Sequence, residues 1–201
     1  MPETSVSGIG TAAHGVVVLA AGASSRLGRN KLLLRHEGEA LVRRAARLAL
    51  VTAPRDAVIV LGGEADRVYA EVRDLHIRRI DCANWREGMS ASLHAGLAAL
   101  ADDCAGALIV VCDQPALEAS HLQALCAAWR AAPEDAAASH YAGRLGVPAL
   151  LPRAWFPALP ASGDRGAREL LAERHARIST ITNEALAIDI DRVGDLATLR
   201  D

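Results

Sequence analysis

The first readable pattern in the chain is an unbroken apolar run, His14–Ala20 (HGVVVLA), which passes directly into a glycine-bearing loop. Runs of this kind, without polar alternation, suit strands covered on both faces. Two more follow at Ala57–Leu61 and Ala107–Cys112 (ALIVVC), and a short strand is expected between them at Ile77–Asp81. Between them the spacing turns helical: Ala40–Val51 sets Leu41, Ala45 and Leu48 on one face and arginines on the other, and Ala65–Arg73, Met89–Leu100 and Ala116–Arg130 follow suit. Strand–helix alternation predicts parallel strands with right-handed crossovers, hence a three-layer α/β/α sandwich with a Rossmann-like, mostly parallel sheet. After Pro133 the rhythm changes. Short strands are predicted at Ala136–Tyr141, Val147–Leu151, Ile178–Ile181 and Leu186–Ile190, with a helix over Ala167–Arg174 and a last short helix after Val193. No repeat or linker interrupts this, so a single domain over 14–201 is expected behind a flexible leader, 1–13.

Composition narrows the picture. The 201 residues are 51% hydrophobic but only 3% aromatic, so the core must be built from small aliphatic side chains. The net charge of −2 and the dispersed arginines offer no basic field for nucleic acid or a membrane surface. No apolar run approaches the ~20 residues that span a bilayer, and the first residues lack the features of a secretory signal, so a cytoplasmic protein is expected. Cys82, Cys104, Cys112 and Cys126 form no C-x-x-C pair and read as reduced, buried thiols. The seven histidines show no metal-binding spacing, and none is assigned a catalytic role.

In open α/β sheets ligands gather beyond the C-terminal ends of the strands. That directs attention to the loops Ala21–Lys31 and Asp113–Pro115. The first belongs to LAAGASSRLGRNK and holds the only lysine in the chain, against 21 arginines. Gly22 permits a tight turn and close backbone approach to an anion, Ser24 and Ser25 add hydroxyl donors, and Arg26 and Lys31 add cations. A loop so equipped suits a polyphosphate, although the spacing fits neither Walker A nor G-x-G-x-x-G. In VVCDQP, Asp113 ends a buried strand, where a carboxylate is costly unless solvated or bound to a hard cation. Asp189 and Asp191 lie two apart in an extended pattern and are expected on one side of a strand. GMSASL (Gly88–Leu93) opens a helix whose free N–H groups, with Ser90 and Ser92, can face a ligand. Arg165 and Arg168 in GDRGAR could hold an anionic acceptor.

Taken in order, LAAGASSRLGRNK, GMSASLHAGL, CDQP, GVPALL, GDRGAR and DIDRVGDL resemble the molybdenum cofactor cytidylyltransferases from about Val16 to Leu199. The closing motif departs from the DIDTPEDL usual there, and Val147 stands where a polar residue often precedes the proline. The resemblance implies a nucleotidyltransferase fold, with a nucleotide-binding half over about 14–115 and an acceptor-binding half over about 116–201. It implies transfer of CMP from CTP to molybdopterin, giving molybdopterin cytosine dinucleotide and pyrophosphate. By the same likeness Arg26, Lys31 and Asp113 form the catalytic set. Leu19, Ala20, Ala21, Gly22, Ser24, Ser25, Arg26 and Lys31 wrap the triphosphate, and Gly88, Ser90 and Ser92 meet the base. Gln114, Gly146, Pro148, Asp164, Arg165 and Arg168 face the acceptor. Mg²⁺ would rest on Asp113 and Asp191, with Asp189 close by. A transient partner would be a molybdenum hydroxylase or its chaperone. A guanylyltransferase, a sugar- or polyol-phosphate cytidylyltransferase and a pterin-nucleotide carrier are the alternatives; the LAAG loop and the DID tail favour cytosine.

Overall fold

The structure, a computed structural model, describes residues 12–22, 27–164, 166–191 and 193–199. Its main sheet contains β1 (His14–Ala20), β4 (Asp56–Leu61), β5 (Arg78–Asp81), β6 (Gly106–Val111), β7 (Ala136–Tyr141), β8 (Arg144–Pro152) and β9 (Ile178–Thr182). The spatial order is β5-β4-β1-β6-β8-β7-β9. Only β8 runs against its neighbours β6 and β7; the other pairings are parallel, so the sheet is of the expected mostly parallel type. A two-residue hairpin, β2 (Arg35–His36) with β3 (Glu39–Ala40), lies apart from it. The helices are α1 (Leu41–Leu50), α2 (Ala65–Ala70), α3 (Met89–Ala99), α4 (Ala119–Ala131) and α5 (Arg168–Glu173). Of the expected leader, residues 1–11 lie outside the described residues.

The alternation of side chains along β1 builds the three layers. Val16, Val18 and Ala20 pack beneath α1 and α4 with Ile59, Leu61, Leu108 and Trp129. Val17 and Leu19 pack on the opposite side with Val58, Val60, Leu93, Leu97 and Trp155. Fully burying each such valine or leucine is worth roughly 1.5–3 kcal/mol, which is how a nearly ring-free sequence holds its sheet. Close approach substitutes for bulk at Gly96: a β-carbon there would fall 2.4 Å from Val17 Cγ1 and 2.8 Å from Val60 Cγ2. Helix α3 therefore lies flat against β1 and β4, and its first turn points at the loop behind β1.

Several expected limits shift, and strand β8 is longer at both ends than the expected Val147–Leu151. Helix α2 is shorter than Ala65–Arg73 because its end tightens into three-residue turns, Glu71 N donating to Val68 O and Val72 N to Tyr69 O. Helix α4 begins at Ala119 rather than Ala116, since Leu117 N closes a turn on Gln114 O. The larger correction is Leu186–Ile190, which is not a strand. Asn183 caps a 3₁₀ turn over Glu184–Ala187, accepting from Ala185 N at 3.2 Å, and the following residues join the sheet end by one bond, Ile190 N to Asp113 O at 2.9 Å. The closing helix is a 3₁₀ segment, Val193–Thr198.

At the opposite end of the strands, at the start of β1, His14 is 1% exposed. Thr52 Oγ1 donates to Ala49 O, so it accepts from His14 Nε2 at 2.9 Å, while Arg130 donates to Nδ1 at 3.4 Å. Burial, with Arg130 adding, pulls His14 down to about 4. The unfolded chain takes up this proton near pH 6.5 and the folded chain only near 4. The linked stability is thus fully present above 6.5 and is lost as pH falls towards 4, by on the order of 3 kcal/mol. Unfolding midpoints of wild type and His14→Gln across pH 4–7 check this: wild type should lose stability steeply and the variant much less.

Candidate active site

A cavity of about 480 Å³ opens across the C-terminal ends of β1 and β6. Its floor is Leu19 and Val111, and Ala21, Gly22, Cys112 and Asp113 continue from the two strands. Lys31 and Leu32 enter from the α1 side; Trp85, Arg86, Gly88, Met89, Ser92 and Asp164 come from the α3 side. Lys31 is held in place by its neighbours. Asn30 Oδ1 accepts from Leu32 N at 3.1 Å, Leu33 N bonds Asn30 O at 3.2 Å, and buried Leu32 anchors the resulting 3₁₀ turn to the core. The side chain that projects from this turn is only 16% exposed.

Its ammonium meets two carboxylates, with Nζ at 2.8 Å from Asp113 Oδ2 and 2.6 Å from Asp191 Oδ1. Burial works against the Lys31 charge, yet Asp113 and Asp191 outweigh it, so the ammonium is held above the ordinary lysine range. Residues far apart in sequence converge here because Ile190, wholly buried, bonds the Asp113 carbonyl, and Asp195 accepts from Asp191 N at 2.9 Å. Asp189 does not share a strand with Asp191, but the two remain coupled. Burial, then the charges of Asp113 and Asp191, raises the Asp189 carboxyl above the usual carboxylate range. This corner concentrates negative charge that a further cation would relieve.

The other expected site residues divide. Leu19, Ala21, Gly22, Gly88 and Ser92 line the cavity, whereas the Ala20 side chain turns into the core under α1. Ser90 is buried, gives its N–H to Gly163 O at 3.0 Å and leaves Oγ without a partner. Gln114 is also buried. Its amide donates toward Tyr141 Oη at 3.3 Å and the carbonyls of Val147 and Leu186, each at 3.2 Å, while Oε1 has no partner. Gly146 packs on the Tyr141 hydroxyl, and the Pro148 carbonyl, after a cis peptide bond, accepts from Ser139 Oγ at 2.6 Å. Gln114, Gly146 and Pro148 thus form one nest beside Asp113. Asp164 lies elsewhere, on the same cavity wall as Gly88. Arg168 is exposed at the start of α5. Ser24, Ser25, Arg26 and Arg165 lie outside the described residues.

Sequence reasoning passed over Trp85 and Arg86, treating them as part of a featureless loop. The available signal was positional: an aromatic residue in a short loop just past a strand's C-terminal end. It also missed Asn30, whose place immediately before the lysine is a turn-capping signal. All four cysteines are buried and unpaired, and burial pushes the Cys112 thiol, which lines the cavity, well above its usual range. Among the described residues no three His, Cys, Asp or Glu side chains already cluster as a metal cage, and no helix is long and apolar enough to cross a membrane.

The sequence profile of the MobA-like NTP transferase domain matches residues 16–178, most of the sheet and both of its helical layers. The chain belongs to this family. Among its relatives, nicotine blue oxidoreductase of Paenarthrobacter nicotinovorans is 34% identical over 193 residues, covering 91% of this chain and 94% of that one. Purine catabolism protein PucB of Bacillus subtilis is 31% identical over 168 residues, 77% and 78% of the two chains. Among solved structures Rv0371c of Mycobacterium tuberculosis shares the fold, with a TM-score of 0.79 at 24% identity over 94% of this chain and 98% of that one. The same protein has been solved in complex with manganese, at a TM-score of 0.75 and 22% identity over 93% and 97% of the two chains. As a member of the NTP transferase family, the chain has a nucleotidyltransferase domain, and the cavity at the strand ends lies within the matched segment.

Proposed function

We propose that this protein transfers CMP from CTP to the terminal phosphate of a molybdopterin-type cofactor and releases pyrophosphate. The observation that carries the reading is the meeting of Lys31, Asp113 and Asp191 at the mouth of a strand-end cavity. An oxygen of the acceptor phosphate attacks the α-phosphorus of CTP. The new P–O bond forms as the bond to the β-phosphate oxygen breaks, and pyrophosphate leaves with that electron pair. The acceptor is already an anion, so no general base is needed, and the chain's task is positioning and charge neutralisation. Lys31 supplies a compact positive charge to the triphosphate, and Gly22 lets the backbone approach it. The loop through Arg26 adds a planar cation.

The donor set fits a hard divalent cation such as Mg²⁺, because two carboxylates already converge on one positive centre and a third lies within their field. Asp113 and Asp191 would hold it, with Asp189 behind them. When bound it would supply neutralisation of the phosphate charge. The nest of Gln114, Gly146 and Pro148 adjoins Asp113 and would face the pterin side. By the same likeness the product would pass to a molybdenum hydroxylase or its chaperone.

Pyrophosphate release by the purified protein, with Mg²⁺, molybdopterin and each nucleoside triphosphate in turn, tests this. Release with CTP and molybdopterin together, and not with either alone, is expected. A second reading, oxidoreductase chemistry, is favoured by the 34% identity to a protein of that name. Redox turnover of nicotine blue, without pyrophosphate release under any condition, would establish that reading instead.

A further inference from the structure

We propose that Asp164 determines nucleotide specificity: its carboxylate accepts a hydrogen bond from the amino group at position 4 of cytosine and so favours CTP over UTP. The inference rests on the transferase reading above and assigns this residue to the nucleobase rather than to the acceptor. It begins with the two walls of the cavity. Lys31 and Leu32 belong to the α1 layer, whereas Trp85, Gly88, Met89, Ser92 and Asp164 belong to the α3 layer. If the phosphates lie at Lys31, the base lies towards the second wall.

That wall is fastened together from two distant segments. Ser90 N donates to Gly163 O at 3.0 Å, and Gly163 N to Glu87 O at 3.4 Å. Gly88 has φ +112°, and a β-carbon on it would fall 2.6 Å from Gly163 O and 2.8 Å from Asp164 Oδ1. The glycine is therefore required by its own backbone and by the Gly163 carbonyl, and the exposed Asp164 carboxylate lies beside it. Of the other polar groups here, the buried Ser90 Oγ has no partner among the described residues, whereas two more are engaged. The Arg86 guanidinium carbon sits over the Trp85 ring, 4.4 Å from its centroid, and the Ser92 hydroxyl faces Cys82 Sγ at 4.0 Å. The Asp164 carboxylate makes no hydrogen bond or ion pair with a described residue, although it lines the cavity.

Ring chemistry then distinguishes the bases. Position 4 of a pyrimidine lies across the ring from the nitrogen that carries the ribose, so its substituent reaches furthest from the phosphates. Cytosine presents an amino donor there and uracil a carbonyl oxygen. A carboxylate only accepts, so it bonds the first and repels the second. An asparagine amide can turn either its oxygen or its NH₂ to the base, and should therefore accommodate both.

Calorimetric binding of CTP, UTP and GTP in the presence of Mg²⁺, to wild type and Asp164→Asn, is the test, with Asp164→Ser as a second variant. Wild type is expected to bind CTP about ten to a hundredfold more tightly than UTP, the range of one charge-assisted hydrogen bond. In Asp164→Asn the preference should shrink to about threefold or less through a gain in UTP binding; in Asp164→Ser it should shrink through a loss of CTP binding. An unchanged CTP-to-UTP ratio in variants that still bind CTP overturns the assignment and leaves the transferase reading intact. So does a wild type that binds UTP or GTP as tightly as CTP. A wild type that binds no triphosphate overturns both.

Discussion

Asp113→Ala should lower turnover by at least about 10³ while leaving the fold in place. The side chain lies just past the end of β6, is 22% exposed and has one direct ionic partner among the described residues, Lys31, which keeps Asp191 when Asp113 is removed. Little packing is lost, so the thermal midpoint should stay within a few degrees of wild type. The carboxylate's worth lies instead in neutralising charge as the α-phosphorus changes partners. Steady-state pyrophosphate release against Mg²⁺ concentration gives the readout. The variant should show residual activity that no longer rises with Mg²⁺; near-normal, Mg²⁺-dependent turnover would remove Asp113 from the site. The matching Asp191→Ala should fall in the same direction.

Lys31 supports the second large effect. One Nζ atom reaches two separate carboxylates, at 2.8 and 2.6 Å. An ammonium can do this because its three donors radiate from a point, whereas a guanidinium prefers to pair in plane with a single carboxylate. Lys31→Arg should therefore cost about ten to a hundredfold in kcat/KM despite keeping the charge, and Lys31→Met about 10³ or more. The methionine variant also has a signature in stability. Without the ammonium, Asp113, Asp189 and Asp191 face one another, and Asp189 is already held above the ordinary carboxylate range by burial and by the other two. A carboxyl whose pKa is raised on folding destabilises the fold at neutral pH and ceases to do so once protonated. The deficit of Lys31→Met relative to wild type should thus be larger at pH 7 than at pH 5 in thermal unfolding. A full-activity Lys31→Arg would contradict the point-charge argument.

The architecture was largely legible because apolar runs report burial directly. His14–Ala20 and Ala136–Tyr141 are strands with the expected limits, the first because a continuous apolar segment bounded by loops leaves little choice of ends. The reversed direction of β8 was not legible, because pairing across a sheet is settled by contacts remote in sequence. Leu186–Ile190 misled for a related reason. Leu186 joins the core and Ile190 is buried where it bonds the Asp113 carbonyl, without a ladder and with Ile188 left exposed, and period alone does not separate the two. Within the site, Lys31 and the aspartates could be singled out because their residue types are rare or costly at strand ends. Trp85 and Arg86 carry no such mark. Asp164 shares a motif with Arg165 and Arg168, which the resemblance groups with the acceptor, and backbone bonds linking Gly163 to Glu87 and Ser90 fasten it to the wall that holds Gly88. Linear motifs do not record which loop a later turn is fastened to.

The central claim is that the α-phosphate of CTP ends up joined to a pterin phosphate. Incubating the protein with CTP labelled at that phosphorus, Mg²⁺ and molybdopterin, then separating the products by mass, measures this directly. The label should appear in a molybdopterin cytosine dinucleotide in amounts equal to the pyrophosphate released. Label that stays in CTP, or leaves only as free CMP however much molybdopterin is present, would contradict the account.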